Sequence, residues 1–203
     1  IYKDILGQSG EINPVDERAS YNESKRFSET LCKTYYDVHG VQTTIARVFA
    51  TYGPRMIMDE GRHVPDFISA AIDNKDIIIY GDKDVTTSFC YITDMVDGLM
   101  KLVQSNNLGP FNIGVDEEYK LSEVAQKVVD LVGSKSKITF KKPLQGMHVK
   151  GLPNIKKIKE EVGWFPLTKL DEGLKETIEY MRSVKSHFQQ QGIWDQSTLD
   201  RKE

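Results

Sequence analysis

The sequence has little that would take it out of water. No apolar run in its 203 residues comes near the ~20 that a membrane helix needs. Its first stretch, "IYKDILGQSGE", lacks the basic start and apolar core of a secretory signal. Only Cys32 and Cys90 are present, without metal-like spacing, which excludes a disulfide scaffold and predicts two reduced packing thiols in a cytoplasmic protein. No charge of one sign dominates: 27 Lys and Arg stand against 30 Asp and Glu, a net −3. That balance offers no electrostatic case for nucleic acid or an anionic membrane as partner. No G-x-x-G-x-x-G occurs anywhere, and no cluster reads as a metal site. Residue 1 is Ile rather than Met, which raises the expectation of a piece of a longer protein.

What is present is ordinary globular material, 39% hydrophobic and 28% charged. Residues 1–20 read as loop, punctuated by Gly7, Gly10 and Pro14. From Tyr21 to about His39 the apolar residues Phe27, Leu31, Tyr35 and Val38 recur at helical spacing, and Gly40 stops them. "VQTTIARVF" is short and β-branched, hence a strand, and "TYGP" turns the chain. Further helices are predicted over 62–74, after an Asp94 cap, from Ser122 to Gly133, over "NIKKIKEEVGW" and over "DEGLKETIEYMRSV". Strands are predicted at "DIIIYG", "SFCYI", "GPFNIGV" and "KITFKK". Alternating strands and helices favour an α/β protein with some parallel sheet.

The stretch "YNESKRFSETL" places Tyr21 and Lys25 four residues apart, on one helical face. A free phenol has a pKa of about 10, so a base near neutrality needs a drop of about three units, or about 4 kcal/mol. An ammonium about 4 Å away at an effective dielectric near 20 supplies something of that size. Such a pair can take a proton from a sugar hydroxyl while a hydride leaves the same carbon. The plain alternative is a surface Lys lying over a half-buried Tyr. Arg62 and His63 beside Asp59 and Glu60 mark either a charged site or a solvated loop. His63 reads as a structural histidine, His39 as a helix-terminal cation and Trp164 as packing.

In order, the chain runs "YNESKRFSETL", "IARVFATYGPRM", "GRHVPDFI", "IIIYGD", "SFCYITDMVDGLMKL", "FNIGVDEEYKLSEVAQKV" and "NIKKIKEEVGWFPLTKLDEGLKETIEYM". That order resembles the extended short-chain dehydrogenase/reductases of the NAD-dependent epimerase/dehydratase family, from residue 1 to about 182. Within that family the sequence most resembles the UDP-glucuronate decarboxylases, with dTDP-glucose 4,6-dehydratases and 4-epimerases as cousins. The resemblance implies Tyr21 as base, Lys25 as its tuning cation, and Tyr21, Lys25, Thr51 and Arg62 along the NAD cofactor. It implies Tyr80, Thr87 and Lys150 on the nucleotide-sugar side, and a homodimer.

The expected fold is the C-terminal part of a Rossmann-type parallel sheet interleaved with a small α/β substrate domain. Its expected division is 1–50 and 91–115 for the cofactor domain, 51–90 and 116–182 for the substrate domain, and 183–203 for a tail. The expected activity opens with oxidation at C4 of the sugar, leading to decarboxylation, dehydration or epimerisation, with this chain alone inactive. A non-catalytic remnant or interaction module is the other class. Three departures from the family pattern bear on that choice. Ala50 stands where Asn is usual, Thr87 where Arg is frequent, and Gly151 where Arg precedes the "PDI"-like segment. The phosphate-binding Gly loop of the family is absent.

Overall fold

In this computed structural model, residues 19–143 and 152–190 are described. Helix α1 (Ala19–His39) leads through Gly40 into β1 (Ala46–Val48) and β2 (Thr51–Tyr52). There follow α2 (His63–Ile72), β3 (Ile77–Tyr80), β4 (Thr86–Thr87), β5 (Cys90–Tyr91), α3 (Ile92–Ser105) and β6 (Phe111–Ile113). The chain continues through β7 (Tyr119–Lys120), α4 (Leu121–Val132), β8 (Ile138–Lys141), α5 (Lys156–Val162) and α6 (Leu170–Gln190). Strands pair as β1–β6, β2–β5 and β3–β8, all parallel, and β4–β7, antiparallel. Parallel pairs with helical crossovers make this the expected mixed α/β fold.

Two apolar cores result. One gathers Val64, Phe67 and Ile68 of α2, Ile77 and Ile79 of β3, Val124 and Val128 of α4, and Leu174 and Ile178 of α6. The other gathers Met95 and Leu102 of α3, Phe111 and Ile113 of β6, Ile155, Ile158 and Trp164. The two meet at β5. Successive strand side chains point to opposite faces, so Cys90 enters the second core and Tyr91 the first.

Several boundaries differ from the sequence reading. Asp94 does not cap α3: the cap is Tyr91, and Asp94 sits in the first turn. Its carboxylate instead accepts the backbone N–H groups of Leu167 (3.2 Å) and Thr168 (2.8 Å). An acid in a first turn is attracted by the helix dipole as well, so the residue type is satisfied in a different way. Gly40 and Gly133 do terminate their helices with positive φ, 64° and 69°.

The largest difference concerns α1. Its apolar residues Phe27, Leu31, Tyr35 and Val38 are exposed, and Ala19 is its one buried residue. The helix is held by Arg47 of β1, whose guanidinium grips the Glu29 carboxylate with two hydrogen bonds of 2.8 Å. The Thr43 hydroxyl donates to the Cys32 carbonyl at 3.2 Å. On α3, Val96, Met100 and Val103 form a second exposed apolar stripe.

Candidate functional site

Helical geometry puts Tyr21 and Lys25 together, as the spacing requires. The Lys25 ammonium lies over the Tyr21 ring, 5.6 Å from its centroid. Tyr21 is 63% exposed, so the pair borders solvent within this chain. Its place on the sheet follows from the Arg47–Glu29 fork. Thr43 meets Cys32 and Arg47 meets Glu29, so the helix numbering falls as β1 advances, and Tyr21 lies eight residues beyond Glu29 in that direction, roughly 12 Å by helical rise. The pair therefore stands toward the carboxyl end of β1, the end at which open α/β sheets bind their ligands.

Thr51 follows that same end. It is half-buried and its hydroxyl donates to the Phe49 carbonyl at 3.0 Å. Arg62 is exposed at the N-cap of α2, and its carbonyl accepts the Asp66 N–H at 3.1 Å. His63 begins the helix and packs its ring toward Phe67 and Phe89, at 5.9 and 6.4 Å. Tyr80 is half-buried at the end of β3, opposite Lys141 of β8. Thr87 is buried in β4 opposite Tyr119, with its hydroxyl 3.5 Å from the Ser88 carbonyl. Lys150 lies outside the described residues. Tyr21, Lys25 and Thr51 thus share one end of β1, while Arg62, Tyr80 and Thr87 belong to the elements around the first core. None of the six lines either of two clefts, of about 410 and 350 Å³. The larger lies between the β6–β7 loop and the segment before α6, walled by Phe89, Val115, Tyr119, Lys159 and Phe165.

The electrostatics add two groups that pattern reasoning passed over. Asp66, inside the apolar run "HVPDFISAAI", has a buried carboxylate oxygen without a hydrogen-bond partner. Burial first, and then the neighbouring Asp59 charge, raise its pKa, while the amides of Gly61, Asp59 and Glu60 oppose the rise. An acid interrupting an apolar helix was the available signal. Tyr91 donates its hydroxyl to the Glu176 carboxylate at 2.5 Å, across 85 residues of sequence, and no local pattern announces such a pair. Cys90 is a buried thiol pushed up to about 12, chiefly by burial, and so is inert; Cys32 is likewise free. Among the described residues, no group of His, Cys, Asp or Glu could hold a metal ion. None of their helices is long and apolar enough to cross a membrane.

Comparison with known proteins bears on the family and the fold. The GDP-mannose 4,6-dehydratase family model matches residues 6–177. UDP-glucuronic acid decarboxylase 1 of Xenopus tropicalis is 39% identical over 178 residues, 88% of this chain and 42% of the relative. UDP-glucuronic acid decarboxylase 3 of Arabidopsis thaliana is 41% identical over 165 residues, 81% of this chain and 48% of the relative. The chain thus spans less than half the length of these curated relatives. Among solved structures, the UDP-glucose 4-epimerase of Thermotoga maritima, determined with UDP-glucose, superimposes with a TM-score of 0.78 at 25% identity. That match covers 90% of this chain and 61% of the other. The dTDP-glucose 4,6-dehydratase of Bacillus anthracis, determined with NAD, gives 0.75 at 23% identity and shares the fold, over 90% of this chain and 59% of that one.

Proposed function

The chain belongs to the GDP-mannose 4,6-dehydratase family, within the NAD-dependent epimerases and dehydratases, and from that premise we propose that it is part of an enzyme that remodels a nucleotide sugar through its C4 carbon. The observation that carries the reading is the Tyr21–Lys25 pair, ammonium over ring at 5.6 Å, toward the carboxyl end of a parallel strand. In this reading Tyr21 acts as the phenolate, stabilised by the Lys25 ammonium, and becomes the neutral phenol as it takes the proton of the sugar C4 hydroxyl; Lys25 would also hold a ribose hydroxyl. NAD, when bound, supplies the acceptor for the C4 hydride. The resulting 4-keto sugar is then open to decarboxylation, elimination or epimerisation.

Thr51 and Arg62 complete the cofactor side, and Tyr80, Thr87 and Lys150 the sugar-nucleotide side. The proposed division is cofactor segments 1–50 and 91–115, substrate segments 51–90 and 116–182, and a tail 183–203, although Ile155, Ile158 and Trp164 pack in one core with Phe111 and Ile113. The residues present fit only the nicotinamide end of the cofactor. Nothing in the sequence forms the Gly-rich turn that seats a pyrophosphate on a helix N-terminus. The chain by itself is therefore an incomplete cofactor site. Reduced thiols agree with a cytoplasmic setting, and the exposed stripe of α1 with a homodimer.

The second reading, a non-catalytic module that keeps this half of the fold, draws on Thr87. A buried neutral hydroxyl there, with Gly151 as the other departure, removes two guanidinium contacts. At about 1.5–3 kcal/mol each, their loss weakens substrate binding roughly a hundred- to ten-thousand-fold. Titration calorimetry on residues 1–203 separates the cases. UDP-glucose or UDP-glucuronate should bind, more weakly in Lys150→Ala, and NAD⁺ should not. No nucleotide-sugar binding favours the module, and micromolar NAD⁺ binding refutes the incomplete site.

A further inference from the structure

Tyr52 is buried to 1% and its hydroxyl donates to the Leu170 carbonyl at 3.2 Å, 118 residues along the chain. That carbonyl belongs to the first residue of α6. One turn on, a Cβ at Gly173 would stand 2.2 Å from the Tyr52 oxygen and 2.7 Å from the Tyr91 ring. The helix therefore has a gap in its side-chain surface where the phenol enters. Tyr91, paired with Tyr52 in the β2–β5 register, reaches the same helix through Glu176. The Tyr52 ring is wedged edge-on between Phe89 and Tyr91, with centroids at 6.1 and 5.5 Å. Neighbouring Thr51 is held by its two-residue ladder and by the bond of its hydroxyl to the Phe49 carbonyl.

We infer that Tyr52 is a positioning residue: its hydroxyl, seated over Gly173 on α6, fixes the turn that presents Thr51. That Thr51 faces the cofactor rests on the function proposed above; the anchoring of the turn does not. Burial, with the neighbouring Tyr91 as a lesser cause, holds the Tyr52 phenol well above its ordinary pKa, so it stays a neutral donor at every working pH. A Phe at this position keeps the ring packing and removes only the anchor.

Hydrogen exchange on the intact chain tests this. Tyr52→Phe should speed exchange at the amides of Thr51, Tyr52, Gly53 and Arg55 about five- to tenfold, the factor set by one hydrogen bond, while amides of α4 keep their rates. Ile178→Val, a core change on the same helix of similar global cost, serves as control and should not single out the turn. Exchange at the turn unchanged in Tyr52→Phe, or raised equally by Ile178→Val, overturns the inference. In the native polypeptide the same variant should lower kcat about five- to tenfold and leave the nucleotide-sugar KM unaltered. A wild type without turnover counts against the proposed function and leaves the exchange result to judge the anchor.

Discussion

Lys25 holds its ammonium over the ring of Tyr21, 5.6 Å from the centroid, one turn further along the same helix. The Tyr21 carbonyl accepts the Ser24 hydroxyl at 2.8 Å, and the Ser24 carbonyl accepts the Ser28 hydroxyl at 2.8 Å, so both serine side chains fold back onto their own helix. The face left open carries the phenol and the ammonium. A surface lysine lying over a tyrosine has this same local geometry. What distinguishes the pair is its position at the carboxyl end of a parallel strand, in a chain of this family.

The exposed apolar stripe of α1 makes an association prediction. Phe27, Leu31, Tyr35 and Val38 lie on the surface of one 21-residue helix. Large exposed apolar patches are typical of interaction surfaces. Sedimentation should show a dimer for residues 1–203, and Phe27→Asp with Leu31→Asp should shift it to monomer. A monodisperse wild-type monomer with a sharp melt would contradict both this interface and the incompleteness of the fold.

Asp66 makes a pH prediction. Its pKa is raised in the folded state, so ionising it costs the fold stability. For this raised acid the penalty is absent below the ordinary carboxylate value of 3.8, grows as pH climbs toward the raised value, and is complete above it. Asp66→Asn should therefore melt higher than wild type at pH 7, and the difference should shrink to nothing below about pH 4. A variant that melts lower at pH 7 would show that the amides of Asp59, Glu60 and Gly61 outweigh the burial.

Gly98 makes a packing prediction. A Cβ there would fall 2.8 Å from the Trp164 ring and 3.2 Å from Ile113, in the second core. Trp164 has nowhere to retreat: it is fully buried and donates its indole N–H to the Asp94 carbonyl at 3.0 Å. Gly98→Ala should cost about 1–3 kcal/mol in denaturant unfolding. No loss of stability would mean that the α3–Trp164 contact is looser than this geometry.

Sequence reasoning reached some of this architecture and missed other parts for identifiable reasons. The helices carrying Val124/Val128 and Leu174/Ile178 were legible because their apolar faces repeat every turn and meet a core. The stripe Phe27–Val38 shows the same period, yet periodicity reports amphipathicity and cannot name what covers the face. Tyr21 and Lys25 were legible because four residues of helix fix their neighbourhood. The strand "VQTTIARVF" shrank to Ala46–Val48 because only those residues meet β6 in register, a long-range fact. Asp94 reads as a cap by residue type; its actual partners lie more than seventy residues away. The contact of Tyr52 with Leu170 and Gly173 is equally remote. Each element is drawn by local chemistry, and the seating of one on another is drawn by contacts that no short motif contains.

The measurement that bears most directly on the catalytic claim is NAD⁺-dependent turnover of UDP-glucose and UDP-glucuronate by the native polypeptide, with Tyr21 intact and replaced by Phe. Tyr21 as proton acceptor predicts a fall in kcat of about 10²- to 10⁴-fold with little change in KM. A Phe variant that turns over at the wild-type rate would contradict it.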